Sequence, residues 1–199
     1  PPSSFDACDR LATRVNSLSL VRYRNNDYSV PVAFGHQEVW IRGYVHEVII
    51  GCASEEIARH PRSYDREDYI FNPIHYLPLL EKKIGALDQA APLEGWDLPN
   101  VFATLRRLLE ARMGKPGKRE YVQVLRLLET FELNDLHGAI KDALRLSAIS
   151  CDAIKHLVLC RIERLPPRLN LDIYPYLPRA QVATTSAASY MNLLADGAS

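Results

Sequence analysis

Glu38-Val39-Trp40-Ile41-Arg42-Gly43-Tyr44, followed after Val45-His46 by Glu47-Val48-Ile49-Ile50, is the stretch that decides how the first half of the chain folds. The runs are rich in β-branched and aromatic residues, the break between them is short, and Gly51 to Ser54 punctuates the second. Both therefore read as strands. A sheet wet on one face alternates apolar and polar residues, yet Val39-Trp40-Ile41 and Val48-Ile49-Ile50 are apolar at consecutive positions. Such strands call for cover on both faces. A small curled barrel supplies the inner cover, and a neighbouring domain or the later helices must supply the outer one. A sheet of about 50 residues is too small to be stable with one face open.

Working outward, Leu18 to Arg24 and Tyr28 to Val30 flank Asn25-Asn26-Asp27, which reads as a hairpin whose loop residues tolerate positive φ. A further strand is expected near Glu56 to His60. The sequence thus predicts a linker over 1–14 and a small β-barrel over 15–66. Beyond it the apolar period changes from 2 to 3.6. Residues 67–98 read as a connecting segment with a short helix from Leu77 to Lys83, entered at Pro78 and closed by Gly85.

A four-helix bundle is expected over 99–166. Its first helix starts near Pro99, carries Val101, Phe102, Leu105, Leu108, Leu109 and Met113, and ends at Gly114. The second follows Pro116-Gly117 and buries Tyr121, Val124, Leu125, Leu128 and Phe131. The third has Asn134 as N-cap and an inner stripe of Leu136, Ile140, Ala143 and Leu144. Ser150 caps the fourth, with Ile149 and Ile154 at hydrophobic-staple spacing, and Pro166-Pro167 stops it. Residues 167–199 read as an extended tail in which Tyr190, Leu193 and Leu194 share one face of a short helical stretch. The fold class is therefore α+β.

Composition removes several functions. The 199 residues carry 24 Lys plus Arg against 24 Asp plus Glu, so overall charge points to neither nucleic acid nor an acidic partner. No apolar run approaches the ~20 residues of a membrane span, and a basic-then-apolar leader pattern is missing, so a cytoplasmic protein with no membrane partner is expected. The first residue is Pro1, within a Pro-Pro-Ser-Ser start, which suggests a piece of something larger. Cys8, Cys52, Cys151 and Cys160 show no Cys-x-x-Cys spacing.

A Gly-x-Ser-x-Gly elbow, a His-x-x-x-His pair and a phosphate-binding glycine loop are all missing. His75 and His156 read as edge or core residues. The acids of the strand region, Asp27, Glu38, Glu47, Glu55 and Glu56, fall at turns and strand ends, not converging from strand centres as two-metal chemistry needs.

Charge is informative locally. Between 101 and 130, Arg106, Arg107, Arg112, Lys115, Lys118, Arg119 and Arg126 meet only Glu110, Glu120 and Glu129. The preceding stretch is acidic, with Glu67, Asp68, Glu81, Asp88, Glu94 and Asp97 against Lys82 and Lys83. One reading of the basic run is a phosphate-contacting face; the other is the polar side of two amphipathic helices. A second basic spot is Arg59-His60-Pro61-Arg62 with Arg66, which reads equally as an exposed strand exit.

Several stretches resemble the C-terminal part of IstA-type insertion-sequence transposases, with a β-barrel similar to that of Mu transposase. They are Val15-Asn16-Ser17-Leu18-Ser19-Leu20-Val21-Arg22-Tyr23-Arg24, Asp27-Tyr28-Ser29-Val30-Pro31, Ala58-Arg59-His60-Pro61-Arg62-Ser63-Tyr64 and His75-Tyr76-Leu77-Pro78-Leu79-Leu80-Glu81. The resemblance implies a parent DDE-type enzyme that cuts and joins DNA with three metal-binding carboxylates, on a domain upstream of Pro1. No catalytic residue, metal ligand or cofactor is carried over to this chain; Mg2+ is expected only for that other domain.

What is implied for this region is a non-catalytic role in DNA transposition and integration. DNA-backbone contacts would come from Arg59, Arg62, Arg66, Arg106, Arg107, Arg112, Lys115, Lys118 and Arg119. The implied partners are DNA at the transposon ends, other transposase subunits and an AAA+ ATPase helper, the last docking at Tyr190, Leu193 and Leu194. The alternative is a pure protein-interaction module that packs on a catalytic core and docks the helper.

Overall fold

The computed structural model describes residues 6–163; residues 1–5 and 164–199 fall outside that description, and with them the expected tail and its three docking residues. The β half holds seven strands: β1 (Asp9–Arg14), β2 (Leu20–Tyr23), β3 (Asn26–Ser29), β4 (Glu38–Gly43), β5 (Glu47–Cys52), β6 (Glu55–Pro61) and β7 (Tyr69–Ile70). They form an antiparallel sheet in the order β1-β4-β5-β6 and a three-stranded sheet, β2-β3-β7, in which β7 joins β3 in parallel. The α+β class holds. The strand readings over 38–44, 47–50 and 56–60 hold with it, and part of the predicted linker, residues 9–14, is instead an edge strand.

The expected barrel is not closed. Side chains, not a backbone ladder, join the two sheets. His60 Nε2–H donates to the Ser29 carbonyl at 2.6 Å, Ser63 N–H donates to the Tyr28 hydroxyl, and Asn26 bonds Ser63 O and Asp68 N. On the other side the Tyr23 hydroxyl donates to Asp9. Between the sheets lies an apolar core that includes Val15, Val21, Tyr23, Tyr28, Val30, Val39, Ile41, Val48 and Ile50.

The hairpin turns one residue earlier than its composition suggests. Tyr23 pairs with Asn26, leaving Arg24 and Asn25 as the loop, with Arg24 at φ 55°. Asn26 belongs to the strand because its amide is used across the sheet gap.

Part of the cover expected on the outer face of the larger sheet comes from the sheet's own side chains. Trp40 lies flat over Gly51, where any Cβ would stand 1.9 Å from the ring, and Arg42 stacks on the same indole at 4.7 Å. Ile49 sits between Arg42 and Arg59 in the register of the flanking strands and is only 8% exposed. Long arginine stems supply the apolar cover while their charges stay wet.

The chain passes to its helical half through Asn72, whose side chain caps the 3₁₀ turn Pro73–Tyr76. Five helices follow: α1 (Leu77–Lys82), α2 (Asn100–Met113), α3 (Lys115–Arg126), α4 (Leu133–Leu146) and α5 (Cys151–Ile162). A second core includes Leu77, Leu80, Phe102, Leu105, Leu109, Tyr121, Val122, Leu125, Leu136, Ile140, Ile154 and Val158.

Leu108 and Met113 of the predicted α2 stripe are exposed instead, because the stripe that faces the core is the narrower Phe102-Leu105-Leu109 row. Asn134 does not cap α4; the helix begins two residues earlier than that cap would place it, after Glu132 in extended geometry. Ser150 does cap α5, accepting from Ala153 N, while Glu120 of α3 reaches Cys151 N at 2.5 Å. Ile149 and Ile154 are both buried, as the staple requires.

Pro116 and Gly117 lie inside α3, not before it. Pro116 suits the first turn, and Gly117 lets α3 press on α2: a Cβ there would sit 2.1 Å from the Leu109 carbonyl oxygen. Glycine to alanine inside a helix ordinarily stabilises by about 1 kcal/mol. Here the clash is with backbone, so Gly117→Ala is expected to lower unfolding free energy by about 2 kcal/mol in urea denaturation. A variant as stable as the parent would show the helices free to separate.

The joint between the halves is polar and buried. Asn72 N–H donates to Ser29 Oγ at 2.8 Å, the same hydroxyl hydrogen-bonds His75 Nδ1 at 2.9 Å, and the Tyr76 hydroxyl donates to Leu18 O. The His60 and His75 rings meet edge-on at 5.6 Å. Burial, then the neighbouring His60, push His75 down to about 4; burial lowers His60 as well.

A histidine whose folded pKa lies below its unfolded value binds its proton more readily once unfolded. Stability is then full above pH 6.5 and is lost as pH falls toward 4, by about 3 kcal/mol for His75. Urea midpoints measured between pH 7 and 4 should fall accordingly, and His75→Gln should flatten the slope. An unchanged slope would exclude this histidine as its source.

Candidate nucleic-acid interface

The basic run of 101–130 lands on α2 and α3, but the fold divides it. Arg106 bonds both Asp88 and Glu110, Lys118 meets Asp88 at 2.5 Å, and Arg126 reaches Glu81 at 2.6 Å and Glu129 at 2.8 Å. Glu81 and Asp88 come from the acidic connecting segment, which packs along α3 through α1 and the following 3₁₀ turn. Their carboxyls are held below the usual range by these hydrogen bonds, from Gln123 and Arg126 on Glu81 and from Lys118 and Arg106 on Asp88. Half-exposed pairs of this kind contribute about 1 kcal/mol or less each. Their larger effect is on charge: three cations of the run are neutralised inside the molecule.

Arg107, Arg112, Lys115 and Arg119 remain. All four are exposed, and none is within ion-pair distance of a carboxylate among the described residues. Arg112 and Lys115 flank the tight turn at Gly114 between α2 and α3. Lys82, which the sequence counts with the acidic segment, is brought beside Arg119; the two share a concavity with Pro78, and Arg119 also borders one with Lys115. The residue missed by sequence reasoning is thus Lys82, whose position depends on the α1–α3 packing.

The second basic spot is mostly spoken for. Arg59 bonds Glu47 at 2.7 Å and Glu56 at 3.0 Å. Arg62 donates to the Tyr44 carbonyl and lies against the Tyr64 and Tyr23 rings at 4.7 and 5.5 Å. Only Arg66 of the three stands exposed without an ion pair among the described residues.

Asp27 is paired with Arg22, and Glu47 and Glu56 hold Arg59. Among the described residues no group of three or more His, Cys, Asp or Glu side chains is placed to hold a metal ion. No helix among them is long and apolar enough to cross a membrane.

Two small sheets joined by side chains, a helical half with its own core and a divided basic face define an α+β region. Residues 1–72, which end at the Asn72 cap where the sheets finish, match the family described as Mu transposase, C-terminal domain. The chain is 31% identical over 172 residues to the transposase for insertion sequences IS1326/IS1353 of Pseudomonas aeruginosa, and equally to that of Shigella flexneri, covering 84% of this chain and 33% of each relative. A transposase of Aminobacter aminovorans is 32% identical over 209 residues, 92% of this chain and 39% of the relative. No solved structure matches. The chain is thus related to insertion-sequence transposases, as its sequence resemblance indicates, and spans about a third of the length of the relatives it matches.

Replacing Asp88 by Asn should cost at most about 1 kcal/mol, since Arg106 keeps Glu110 and Lys118 is free to hydrate. Thermal unfolding of Asp88→Asn measures it; a loss several times larger would mean that Asp88 fastens the connecting segment to the bundle.

Proposed function

We propose that this region serves an insertion-sequence transposase as a non-catalytic element that grips DNA by its backbone and helps assemble the protein–DNA complex. The observation that carries this reading is the exposed set Arg107, Arg112, Lys115 and Arg119, with Lys82 beside Arg119, on a chain whose relatives are transposases. Guanidinium and ammonium groups on a helical surface with no carboxylate partner suit phosphates, which position a protein on a duplex without reading its sequence. Cutting and joining, with the Mg2+ they require, belong in this reading to other parts of the parent protein. The partners in this reading are transposon-end DNA, other transposase subunits and an AAA+ ATPase helper, the helper being assigned to Tyr190, Leu193 and Leu194.

A second reading, a module that only packs on protein, is favoured by the pairing of Asp88 and Glu81 with Arg106, Lys118 and Arg126. Titrating a DNA duplex at several salt concentrations separates the two. Contact with Z phosphates makes log K fall with log salt at a slope of about −0.9Z. Reversing Arg107, Arg112 and Arg119 to Glu should weaken binding and flatten the slope, whereas Asp88→Asn should strengthen binding. A flat salt dependence in the unaltered chain, or affinity indifferent to the reversals, leaves the protein-packing reading.

A further inference from the structure

Trp96 stands in the segment between the connecting 3₁₀ turns and α2, and the surface around it is hollowed on three sides. A cavity of about 420 Å³ runs from it to Phe102 and Tyr121, one of about 350 Å³ lies beside Phe131, and one of about 360 Å³ lies against the stacked Tyr69 and Phe71 rings. All three are lined by Trp96 and are together termed the aromatic groove.

Tyr121 is 6% exposed, and its hydroxyl makes no hydrogen bond among the described residues. No side-chain nitrogen or oxygen among the described residues is both buried and unpaired, so this hydroxyl keeps some exposure, and Tyr121 lines the cavity of about 420 Å³. Burial pushes its pKa to about 12, which keeps the proton on it at neutral pH.

The rim is acidic. Glu94 borders two of the hollows, Asp97 borders one of the same two and Glu132 the third, and all three residues are exposed with no cation in ion-pair distance among the described residues. Arg106 is the one cation lining them, and Asp88 and Glu110 hold it. Nucleic acid is repelled from such a face; a cationic ligand is drawn to it.

We propose that this groove docks a cationic peptide segment of a protein partner. A large apolar or aromatic side chain enters the cavity over Phe102 and meets the Tyr121 hydroxyl, and flanking lysine or arginine residues pair with Glu94 and Asp97. Aromatic walls with a few convergent polar groups are how short peptide anchors are held. The site is independent of the basic face of α2 and α3, so failure of one leaves the other standing.

The chain has 2 tryptophans, and Trp40 Nε1–H donates to Ala53 O on the far sheet, so its indole resonance is an internal control. The probe is a synthetic seven-residue peptide alternating lysine and arginine with leucine and phenylalanine; its counterpart carries glutamate at every charged position. Titrated into 15N-labelled full chain, the basic peptide should shift the Trp96 indole signal saturably, with Kd below about 1 mM, and leave Trp40 unmoved.

Glu94→Lys with Asp97→Lys should weaken binding about tenfold. Tyr121→Phe, which keeps the packing, should weaken it a few-fold at unchanged melting temperature. Lack of saturation, an equal response to the acidic peptide, or affinity unmoved in the lysine variant would overturn the proposal. A Trp96 shift that grows with protein concentration alone, and vanishes in the lysine variant, would overturn it in favour of a second copy of this chain.

Discussion

The structure depends on one polar joint, the Ser29 residue and the two imidazoles that close on it. Its carbonyl accepts the His60 Nε2–H hydrogen bond, and its hydroxyl is shared by Asn72 and His75. In one cluster these bonds tie the larger sheet to the smaller and the β half to the helices. Two sheets of four and three strands are each too small to be stable alone, and the backbone ladder that would close a barrel between them is not made. Buried hydrogen bonds are costly to leave half satisfied. Satisfied throughout, as here, they specify one arrangement of the halves, because any other would strand a buried donor or acceptor.

Charge is sorted by the same packing. The acidic connecting segment folds along α3, and its Glu81 and Asp88 consume cations that a linear reading counts as available. What remains separates into a basic surface around Arg107, Arg112, Lys115, Arg119 and Lys82 and an acidic aromatic groove around Trp96. A chain with no net charge thus presents two surfaces of opposite preference.

Local chemistry announced much of this. The β-branched runs at 38–44 and 47–50, the Ser150 cap with its Ile149–Ile154 staple, and the Phe102-Leu105-Leu109 row are legible because each is a nearest-neighbour or single-turn pattern. The Asp9–Arg14 strand was not, since an exposed edge strand has no apolar alternation to display. The α4 start moved because Glu132 takes the extended cap geometry that Asn134 was expected to adopt. The hairpin register slipped because Asn26 is recruited across the sheet gap, a partner remote in sequence.

By itself the sequence determined the α+β class, the switch from strands to helices and the transposase kinship. These follow from propensity, period and residue identity along the chain. Only the tertiary structure decided that the barrel stays open, that part of the outer sheet face is covered by its own Trp40, Arg42 and Arg59, which cations are spent internally, and that Trp96 becomes the centre of a groove. The reason is physical: electrostatic pairing and burial are set by distances between residues tens of positions apart. Asp88 and Lys118 stand 30 positions apart, Ser29 and His75 46, and the packed halves bring each pair together.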